Sequence, residues 1–355
     1  MVLSVGDPDF ATPEGVVDRA IEVLDEGDTH YSDIAGRPHL RSAIADYVGR
    51  LAGVVYEPAN VMVSAGTQNA LFNASLCLLG PGDEVIVPDP AYLTYEASLR
   101  VGGATLVPVP LTDDFRVDPQ AVAAAVTGQT RAVIVNSPAN PTGVVASRDE
   151  LRAIAELAVA NDLWVVSDEV YAELVFGRER HHSIAAEPGM AERTVVVGAL
   201  SKSHAMTGWR IGWAVGPTEL VRHMATVALC MNYGLPGFIQ EAATVAIEKH
   251  GPDVDDMREI YRRRRDLTTF MLADAPGLEL LVPEAGMFVL ADVRGTGLSS
   301  REFSELLFDE QRVSVLDAGN FGSRADGWVR ISFTVDDVRL AEGCRRIADF
   351  CHTTR

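Results

Sequence analysis

From about residue 60 onward, short runs of β-branched and aliphatic residues alternate with stretches whose apolar residues recur at helical spacing. The runs predict buried strands, and the stretches between them predict helices. Such a long alternation is typical of a mainly parallel sheet with helices on both faces, because parallel strands need a crossover connection. The predicted strands are Val61–Ser64, Glu84–Val87, Thr105–Val109, Ala132–Asn136, Trp164–Ser167 and Thr194–Gly198, and the predicted helices are Thr67–Leu79, Tyr92–Val101, Pro119–Val126 and Ser147–Ala160. We therefore assign the chain to the α/β class.

Beyond residue 237 the alternation gives way to a different mixture of helices and strands. Helical patterns cover Ile239–Lys249, Val254–Leu272, Ser300–Asp309 and Val335–Phe350, and strand-like runs cover Met287–Asp292, Val313–Leu316 and Trp328–Phe333. This mixture predicts a smaller α+β domain, which the N-terminal segment joins. The predicted division puts residues 26-245 in the larger domain, and residues 1-25 and 246-355 in the smaller one.

Two groups of basic or imidazole side chains need an interpretation of their own. The run Arg262–Arg265 lies within a predicted helix, so we interpret it as a solvated face that makes ion pairs. His181 and His182 are adjacent in a polar segment. We expect both histidines to be exposed to solvent and not to bind a metal.

Composition narrows the classes of function. The 355 residues carry a formal net charge of −20, which argues against nucleic acid or an anionic membrane as a partner. No apolar run reaches the roughly 20 residues that a membrane-spanning helix needs. The four cysteines are widely spaced and form no CxxC pair, so neither a disulfide framework nor a zinc site is indicated. We expect a protein of the reducing cytoplasm without a bound metal.

The clearest chemical signal is a lysine that follows a predicted strand. Lys202 comes just after the run Thr194–Gly198, and Arg210 stands eight residues further on. A lysine supplies a primary amine that can form an imine with an aldehyde and can move protons. An arginine supplies a planar fork that fits a phosphate. A lysine–arginine pair alone means little, since most such pairs are surface charges, but the full string Ser-Lys-x₅-Gly-x-Arg is specific.

Three further segments stand at strand ends or turns. Ala65-Gly66-Thr67 directly follows one predicted strand and opens a helix, where small residues let backbone N–H groups approach an anion. Asp168 and Tyr171 follow the run Trp164–Ser167, where a carboxylate is by itself an ordinary helix cap. Asn140 opens the turn Asn-Pro-Thr-Gly. No GxGxxG fingerprint accompanies the first strand, so a dinucleotide is not indicated.

Taken in order, these segments resemble the class I/II aminotransferases, which bind pyridoxal 5′-phosphate (PLP) and share the fold of aspartate aminotransferase. The resemblance spans residues 6–330 and implies fold type I, with a large domain built on a mainly parallel seven-stranded sheet. It implies that Lys202 holds PLP as an imine and moves the substrate proton. It also implies that Asp168 pairs with the ring nitrogen and that Tyr171 contacts the phenolic oxygen of the ring.

The same resemblance assigns the remaining contacts. The implied cofactor-binding residues are Ala65, Gly66, Thr67, Tyr92, Asn140, Asp168, Tyr171, Lys202, Arg210 and Tyr31, and the implied substrate-binding residues are Gly6, Asn140 and Arg330. Tyr92 would stack on the ring, although the residue by itself is nearly as consistent with a tyrosine packed in the hydrophobic core. Tyr31 would reach the phosphate of the neighbouring subunit, which implies a homodimer with shared active sites. The family often has Ser or Thr where this chain has Ala199, so one phosphate contact has to come from another group.

The predicted reaction moves an α-amino group from an amino acid to a 2-oxo acid. Within the family, the stretches Leu3–Phe10, Lys202–Trp213 and Leu229–Gln240 resemble members that use arginine as donor and pyruvate as acceptor. A guanidinium group in a partly desolvated pocket needs a carboxylate partner or several carbonyls, and Asp7, Asp9 and Glu96 are the candidate carboxylates. The alternatives are a broad-specificity aspartate or aromatic aminotransferase, and a PLP-dependent lyase or oxidase on the same scaffold. A PLP-sensing regulator is disfavoured, since such proteins carry an additional DNA-binding domain.

Overall fold

The computed structural model describes residues 1–177, 181–249 and 251–353. Seven strands form the larger sheet: β1 Val61–Ser64, β2 Glu84–Asp89, β3 Thr105–Pro110, β4 Thr130–Asn136, β5 Trp164–Asp168, β6 Thr194–Ala199 and β7 Gly212–Val215. Their order in space is β3-β2-β4-β5-β6-β7-β1. Strand β7 runs antiparallel to both of its neighbours, and the other pairings are parallel. The predicted α/β class with a mainly parallel sheet is confirmed.

Four short strands form a second sheet, in which all pairings are antiparallel. They are β8 Glu279–Leu281, β9 Phe288–Asp292, β10 Leu316–Asp317 and β11 Trp328–Ser332, in the order β10-β11-β9-β8. The N-terminus packs on this sheet, since Leu3 is fully buried in its core and its carbonyl accepts from the Ser332 N–H at 2.7 Å. The exact domain boundaries stay a prediction.

Eleven α-helices surround the sheets in the described part of the chain. They are α1 Glu14–Asp25, α2 Pro38–Ala52, α3 Thr67–Leu78, α4 Tyr95–Arg100, α5 Pro119–Ala125, α6 Arg148–Ala160, α7 Thr218–Met231, α8 Gly237–Lys249, α9 Gly251–Leu272, α10 Ser300–Gln311 and α11 Asp337–Thr353. Helices α3, α4 and α7 cover one face of the larger sheet. Helices α1, α2, α8, α5 and α6 cover the other face. None of the described helices is both long and apolar enough to cross a bilayer.

Several elements differ from the sequence prediction for identifiable reasons. Strand β7 was missed because its four residues directly follow the lysine motif and include a single β-branched side chain. Helices α1 and α2 were missed because neither begins at a capping side chain; Pro13 and Arg37 precede them. Helix α7 likewise follows a proline, Pro217. Helix α4 begins three residues later than predicted, because the Ala91 N–H before it bonds the Phe321 carbonyl.

The interpretation of the arginine run is wrong at one position. Arg262 and Arg265 make ion pairs near the surface, as expected. Arg264 is buried instead, and its guanidinium binds Asp9 at 2.7 Å and Asp337 at 2.9 Å. Successive residues of a helix point about 100° apart, so consecutive arginines cannot all face the solvent. One arginine of the run therefore has a structural role. Arg264 anchors the N-terminal segment to α9.

The expectation of two exposed histidines is also wrong. The side chain of His181 is 2% exposed, and its Nε2 lies 2.9 Å from the Glu169 carboxylate. His182 is half-buried and pairs with Glu187 at the same distance. A polar segment does not reveal that it lies against the sheet, so local composition could not predict this burial.

Candidate active site

The parallel strands β4, β5 and β6 end at one edge of the sheet, and a cavity of about 330 Å³ opens there. Carboxyl ends of parallel strands are the usual position of binding crevices in α/β folds. Most of the predicted site residues line this cavity, namely Gly6, Thr67, Tyr92, Asn140, Asp168, Tyr171, Lys202, Arg210 and Arg330. Side chains from about 320 residues of sequence therefore converge on one space.

Lys202 lies three residues beyond the end of β6 with its amine inside the cavity. Its Nζ donates to the Gly6 carbonyl at 2.6 Å. Burial lowers the pKa of Lys202 to about 8. The Asp7 carboxylate acts to raise this pKa, and the Arg330 and Arg210 guanidinium groups act to lower it. The chain has one other lysine, Lys249, which is exposed at the end of α8. Lys202 is thus the lysine that can act as a nucleophile or base in this cavity.

Asp168 is the last residue of β5 and is almost fully buried. Burial raises the pKa of its carboxyl group to about 6, although bonds from the Tyr95 hydroxyl and the Val170 N–H act in the other direction. The Tyr95 hydroxyl donates to Asp168 at 2.7 Å. Tyr95 was missed as a site residue. Tyr95 stands three residues after Tyr92 in the sequence, and the two rings pack edge to face with their centroids 5.7 Å apart. That spacing is the sequence signal that could have identified Tyr95.

A small cradle forms where β1 meets α3. Gly66 has a φ of +81°, and a Cβ there would lie 2.6 Å from Nη2 of Arg210. The Arg210 guanidinium also bonds the Ala65 carbonyl at 3.3 Å and the Thr207 carbonyl at 2.8 Å. Gly66 is therefore required by both backbone conformation and space. The cradle puts the N-terminus of a 12-residue helix beside a guanidinium group.

The cradle fits the phosphate of PLP. Oγ1 of Thr67 is shielded from solvent and has no hydrogen-bond partner among the described residues. Buried hydroxyl groups normally make hydrogen bonds, so this atom is available to bond a ligand. Free N–H groups at the helix N-terminus and the Arg210 guanidinium favour an anion at the same point. The residues present thus suit a phosphate, and Thr67 offers the contact that Ala199 lacks.

Arg330 lies in β11 on the opposite side of the cavity and is buried. Its Nη1 donates to Oδ1 of Asn140 at 2.8 Å and its Nη2 donates to the Ser4 carbonyl at 3.0 Å. The guanidinium carbon is 3.8 Å from the centroid of the Phe288 ring, which sequence reasoning missed. Burial lowers the pKa of Arg330 to about 10. A dehydrated, planar fork of this kind favours a carboxylate ligand.

The N-terminal segment closes the cavity above Lys202. A Cβ on Gly6 would lie 2.3 Å from the Phe288 ring, so no larger residue fits there without displacement. Asn136, which was also missed, lines the cavity and holds the turn, because its Oδ1 accepts from the Asn140 N–H at 2.9 Å. Tyr171 is buried beside Phe288, at 6.4 Å between ring centroids. Burial raises the pKa of its phenol.

Three predicted site residues are not in the cavity lining: Ala65 and Gly66 directly precede the lining residue Thr67, whereas Tyr31 lies apart. Tyr31 is 86% exposed and its ring packs against Tyr233 at 4.7 Å. It is not part of the cavity lining of its own subunit. Its predicted contact with a neighbouring subunit stays a prediction.

Two of the three carboxylates proposed for a guanidinium ligand have other partners. Asp9 binds the buried Arg264, and Glu96 pairs with Arg100 on the surface of α4. Asp7 accepts from the Thr207 hydroxyl at 2.7 Å, next to the cavity lining. Within the described lining, Asp168 is the sole carboxylate.

The sequence matches the family model "Aminotransferase class I and II" over residues 1–347. The arginine–pyruvate transaminase AruH of Pseudomonas aeruginosa is 51% identical over 350 residues, which cover 98% of this chain and 89% of the relative. An aspartate aminotransferase of Pyrococcus horikoshii is 34% identical over 97% of this chain and 89% of its own length.

Solved structures agree with these matches. The aromatic aminotransferase from Pyrococcus horikoshii superimposes with a TM-score of 0.96 at 37% identity, covering 99% of this chain and 94% of the other. The aspartate aminotransferase from Thermus thermophilus with maleate gives a TM-score of 0.94 at 36% identity, covering 98% and 91%. With the sheet order, the cavity and the phosphate cradle described above, these matches establish that the chain belongs to the class I and II aminotransferases, which are PLP-dependent enzymes.

Proposed function

We propose that the protein transfers the α-amino group of arginine, or of a similar cationic amino acid, to pyruvate. The observation that carries the substrate assignment is the 51% identity to an arginine–pyruvate transaminase over nearly the whole chain. The transaminase reaction itself is supported by the cavity, which joins a phosphate cradle, a lysine and a buried arginine in one space.

We assign the cofactor to the sheet-edge side of the cavity. Bound PLP supplies an aldehyde that takes up the amino group and a ring that accepts electrons from the substrate Cα. The cradle at 65–67 with Arg210 would hold the phosphate, and Tyr92 would pack against the ring. Asp168 would face the ring nitrogen, and Tyr171 and Asn140 its phenolic oxygen. The burial of the Asp168 carboxylate supports this role, because a buried anion favours a cationic partner.

Lys202 holds the cofactor through Nζ in the resting protein and acts as the general base and acid once released. A pKa of about 8 leaves an appreciable fraction of the free amine unprotonated near neutral pH. The 2.6 Å bond from Nζ to the Gly6 carbonyl keeps the released amine within the cavity. Lys202 can then take the Cα proton and return it to the product.

The substrate α-carboxylate would bind Arg330, with Asn140 and the backbone at Gly6 completing its contacts. Nε of Arg330 is buried without a partner in the described residues, so the guanidinium has an unused donor. Phe288 fixes the plane of the guanidinium from one side. This arrangement orients the amino acid so that its Cα–H bond points toward Lys202.

The side chain of the amino donor needs a partner of opposite charge near the cavity. Of the three carboxylates considered, Asp7 remains, because Asp9 and Glu96 are engaged by arginines. We propose Asp7 as the partner of a guanidinium at the mouth of the cavity. The partner subunit of a homodimer is the other source of acceptors, and the exposed Tyr31–Tyr233 pair supports an interface there. The cytoplasm is the proposed location, consistent with four cysteines that are free of disulfides.

A comparison of arginine with citrulline tests the substrate assignment. Citrulline has nearly the same shape as arginine but a neutral ureido group, so the ratio of their kcat/KM values isolates the charge. We expect arginine with pyruvate to exceed citrulline, alanine, aspartate, phenylalanine and kynurenine by at least about tenfold. If arginine gives no advantage, the arginine assignment is wrong. Asp7→Asn should lower the arginine-to-citrulline ratio; the ratio is the readout, because Asp7 also raises the pKa of Lys202 and so affects turnover of every donor.

Two alternatives are separated by product analysis. A broad-specificity aspartate or aromatic aminotransferase would prefer those donors, and 2-oxoglutarate as acceptor. A PLP-dependent lyase or oxidase would consume the amino acid without any added oxo acid. Measuring the products with and without an acceptor distinguishes all three reactions.

A further inference from the structure

A buried histidine–glutamate pair adjoins Asp168 in the sequence and is not part of the cavity lining. Glu169 follows Asp168 in the chain, and its Oε2 is 2.9 Å from Nε2 of His181. The Glu169 and His181 side chains are 5% and 2% exposed. Oε1 of Glu169 accepts from the hydroxyls of Ser167 at 2.8 Å and Ser183 at 2.5 Å. The proposed catalytic cycle gives none of these four side chains a task.

Glu169 carries a negative charge in this network. Burial alone would raise the pKa of its carboxyl group, but the His181 imidazole and the two serine hydroxyls together lower it. A buried carboxylate without a counter-charge is strongly unfavourable. Among the hydrogen-bond partners of Glu169 in the described residues, His181 is the one that can carry a positive charge. The Tyr56 phenol also faces Glu169 and stays neutral, because burial raises its pKa.

The charge of Glu169 acts on its neighbour. Asp168 is nearly fully buried, and the Glu169 carboxylate is one of the groups that raise its proton affinity. Two like charges on adjacent buried residues disfavour the ionised form of each. A positive charge on His181 offsets this effect, since it makes the Glu169–His181 unit neutral.

We propose that Glu169 and His181 form a positioning pair that keeps Asp168 ionised toward the ring nitrogen of the cofactor. The backbone of Glu169 is held independently of this pair, because its N–H donates to the Val197 carbonyl of β6 at 3.0 Å. The inference rests on the proposed role of Asp168. It assigns His181 an electrostatic function, which loss of packing alone cannot imitate.

The chain offers a matched control. His182, the next residue, pairs with Glu187 at 2.9 Å, and Glu187 is also buried. This second pair does not adjoin Asp168, and Glu187 has an additional cationic partner in Arg152 at 3.6 Å. His182→Gln therefore measures how the loss of a histidine–glutamate pair changes stability and cofactor binding at a position that does not adjoin Asp168.

The experiment compares the binding of PLP with that of its analogue in which carbon replaces the ring nitrogen. An ionised Asp168 favours PLP over the analogue, because the carbon cannot carry a proton. The ratio of the two dissociation constants is measured near neutral pH on cofactor-free protein. The variants are His181→Gln, Glu169→Gln, the double variant and His182→Gln. Melting temperatures establish that each variant is folded.

His181→Gln leaves Glu169 charged and uncompensated, so we expect the preference for PLP to fall roughly tenfold, which is one unit of Asp168 pKa. Glu169→Gln and the double variant contain no negative charge next to Asp168, and should stay within about threefold of the parent. His182→Gln should not change the ratio. A parallel loss of affinity for both ligands in His181→Gln, or a double variant as impaired as that single variant, overturns the proposal.

The outcome also separates this inference from the role of Asp168. A parent protein without preference for PLP over the analogue would reject the Asp168 role and the inference together. A parent with the preference and an unchanged ratio in His181→Gln would reject the inference alone. Should His181→Gln not fold, a tenfold fall of the ratio in Glu169→Gln would still contradict the proposal.

Discussion

The two sides of the cavity are built in different ways. The proposed cofactor side, consisting of Gly66, Asp168, Lys202 and Arg210, comes from strand ends of one sheet and their adjacent turns. The proposed carboxylate side, consisting of Gly6, Phe288 and Arg330, joins the N-terminal segment to the second sheet. The contact of Arg330 with Ser4 spans 326 positions in sequence. The first side depends on local motifs, whereas the second depends on long-range packing, so changes on the two sides should affect different steps.

The largest effect is expected on the cofactor side. Lys202→Ala should lower turnover by roughly 10²–10⁴-fold, because it removes the general base and acid. Borohydride should fix PLP to the parent protein and not to this variant. Since Lys249 is the one other lysine in the chain, Lys249→Arg is the matched control and should behave as the parent. Labelling of Lys249 in the parent would refute the assignment of Lys202.

Arg330→Lys should show the contrasting behaviour of the carboxylate side. An ammonium group cannot reproduce the planar fork, and the remaining charge is buried with fewer bonds. We expect kcat/KM to fall roughly 30- to 1,000-fold, mainly through KM. Arg294→Lys, an exposed arginine in the turn after β9, should leave steady-state kinetics unchanged. A loss confined to kcat would contradict the division between the two sides.

The pH dependence of stability probes Asp168 in the cofactor-free protein. Because burial raises the pKa of Asp168 to about 6, the folded state binds this proton more tightly than the unfolded state. Its contribution to stability is therefore present at low pH and is lost as pH rises from about 4 to about 6, by about 3 kcal/mol. Asp168→Asn should remove this loss, so the variant should melt higher than the parent above pH 6 and similarly near pH 4.

Asp292→Asn provides the control of opposite sign for that experiment. Bonds from Arg294 outweigh burial and lower the pKa of Asp292. Its stabilisation is present at neutral pH and is lost in acid, so the variant should be destabilised most at neutral pH. Parallel curves for parent and Asp168→Asn would contradict the raised pKa of Asp168.

The smallest effect is expected from Tyr95→Phe, which removes one hydrogen bond to Asp168. A hydrogen bond to a charged group contributes about 1.5 kcal/mol or more, so turnover should fall roughly tenfold. Tyr261→Phe is the control, because the Tyr261 hydroxyl is buried without a partner in the described residues. Equal losses in the two variants would show that the Tyr95 bond to Asp168 is not important.

The contrast between the two sides also explains which features the sequence could predict. Lys202, Asp168 and the 65–67 cradle follow strand ends, so strand prediction alone brings them to one edge. Phe288, Tyr95 and Asn136 were missed because they act by contacting other side chains, and no short motif records such a contact. The burial of His181 and Arg264 was missed for the same reason. Both residues are polar and look exposed until their partners Glu169 and Asp9 are known.

The state of Arg330 has a practical consequence for assays. A guanidinium group that has lost most of its water and retains an unused N–H is a general receptor for small carboxylates. Acetate, formate or citrate from a buffer should therefore compete with the amino acid for this side chain. Apparent KM values would then rise with buffer concentration while kcat stays constant. Donor specificities are comparable only when they are measured in buffers without carboxylates.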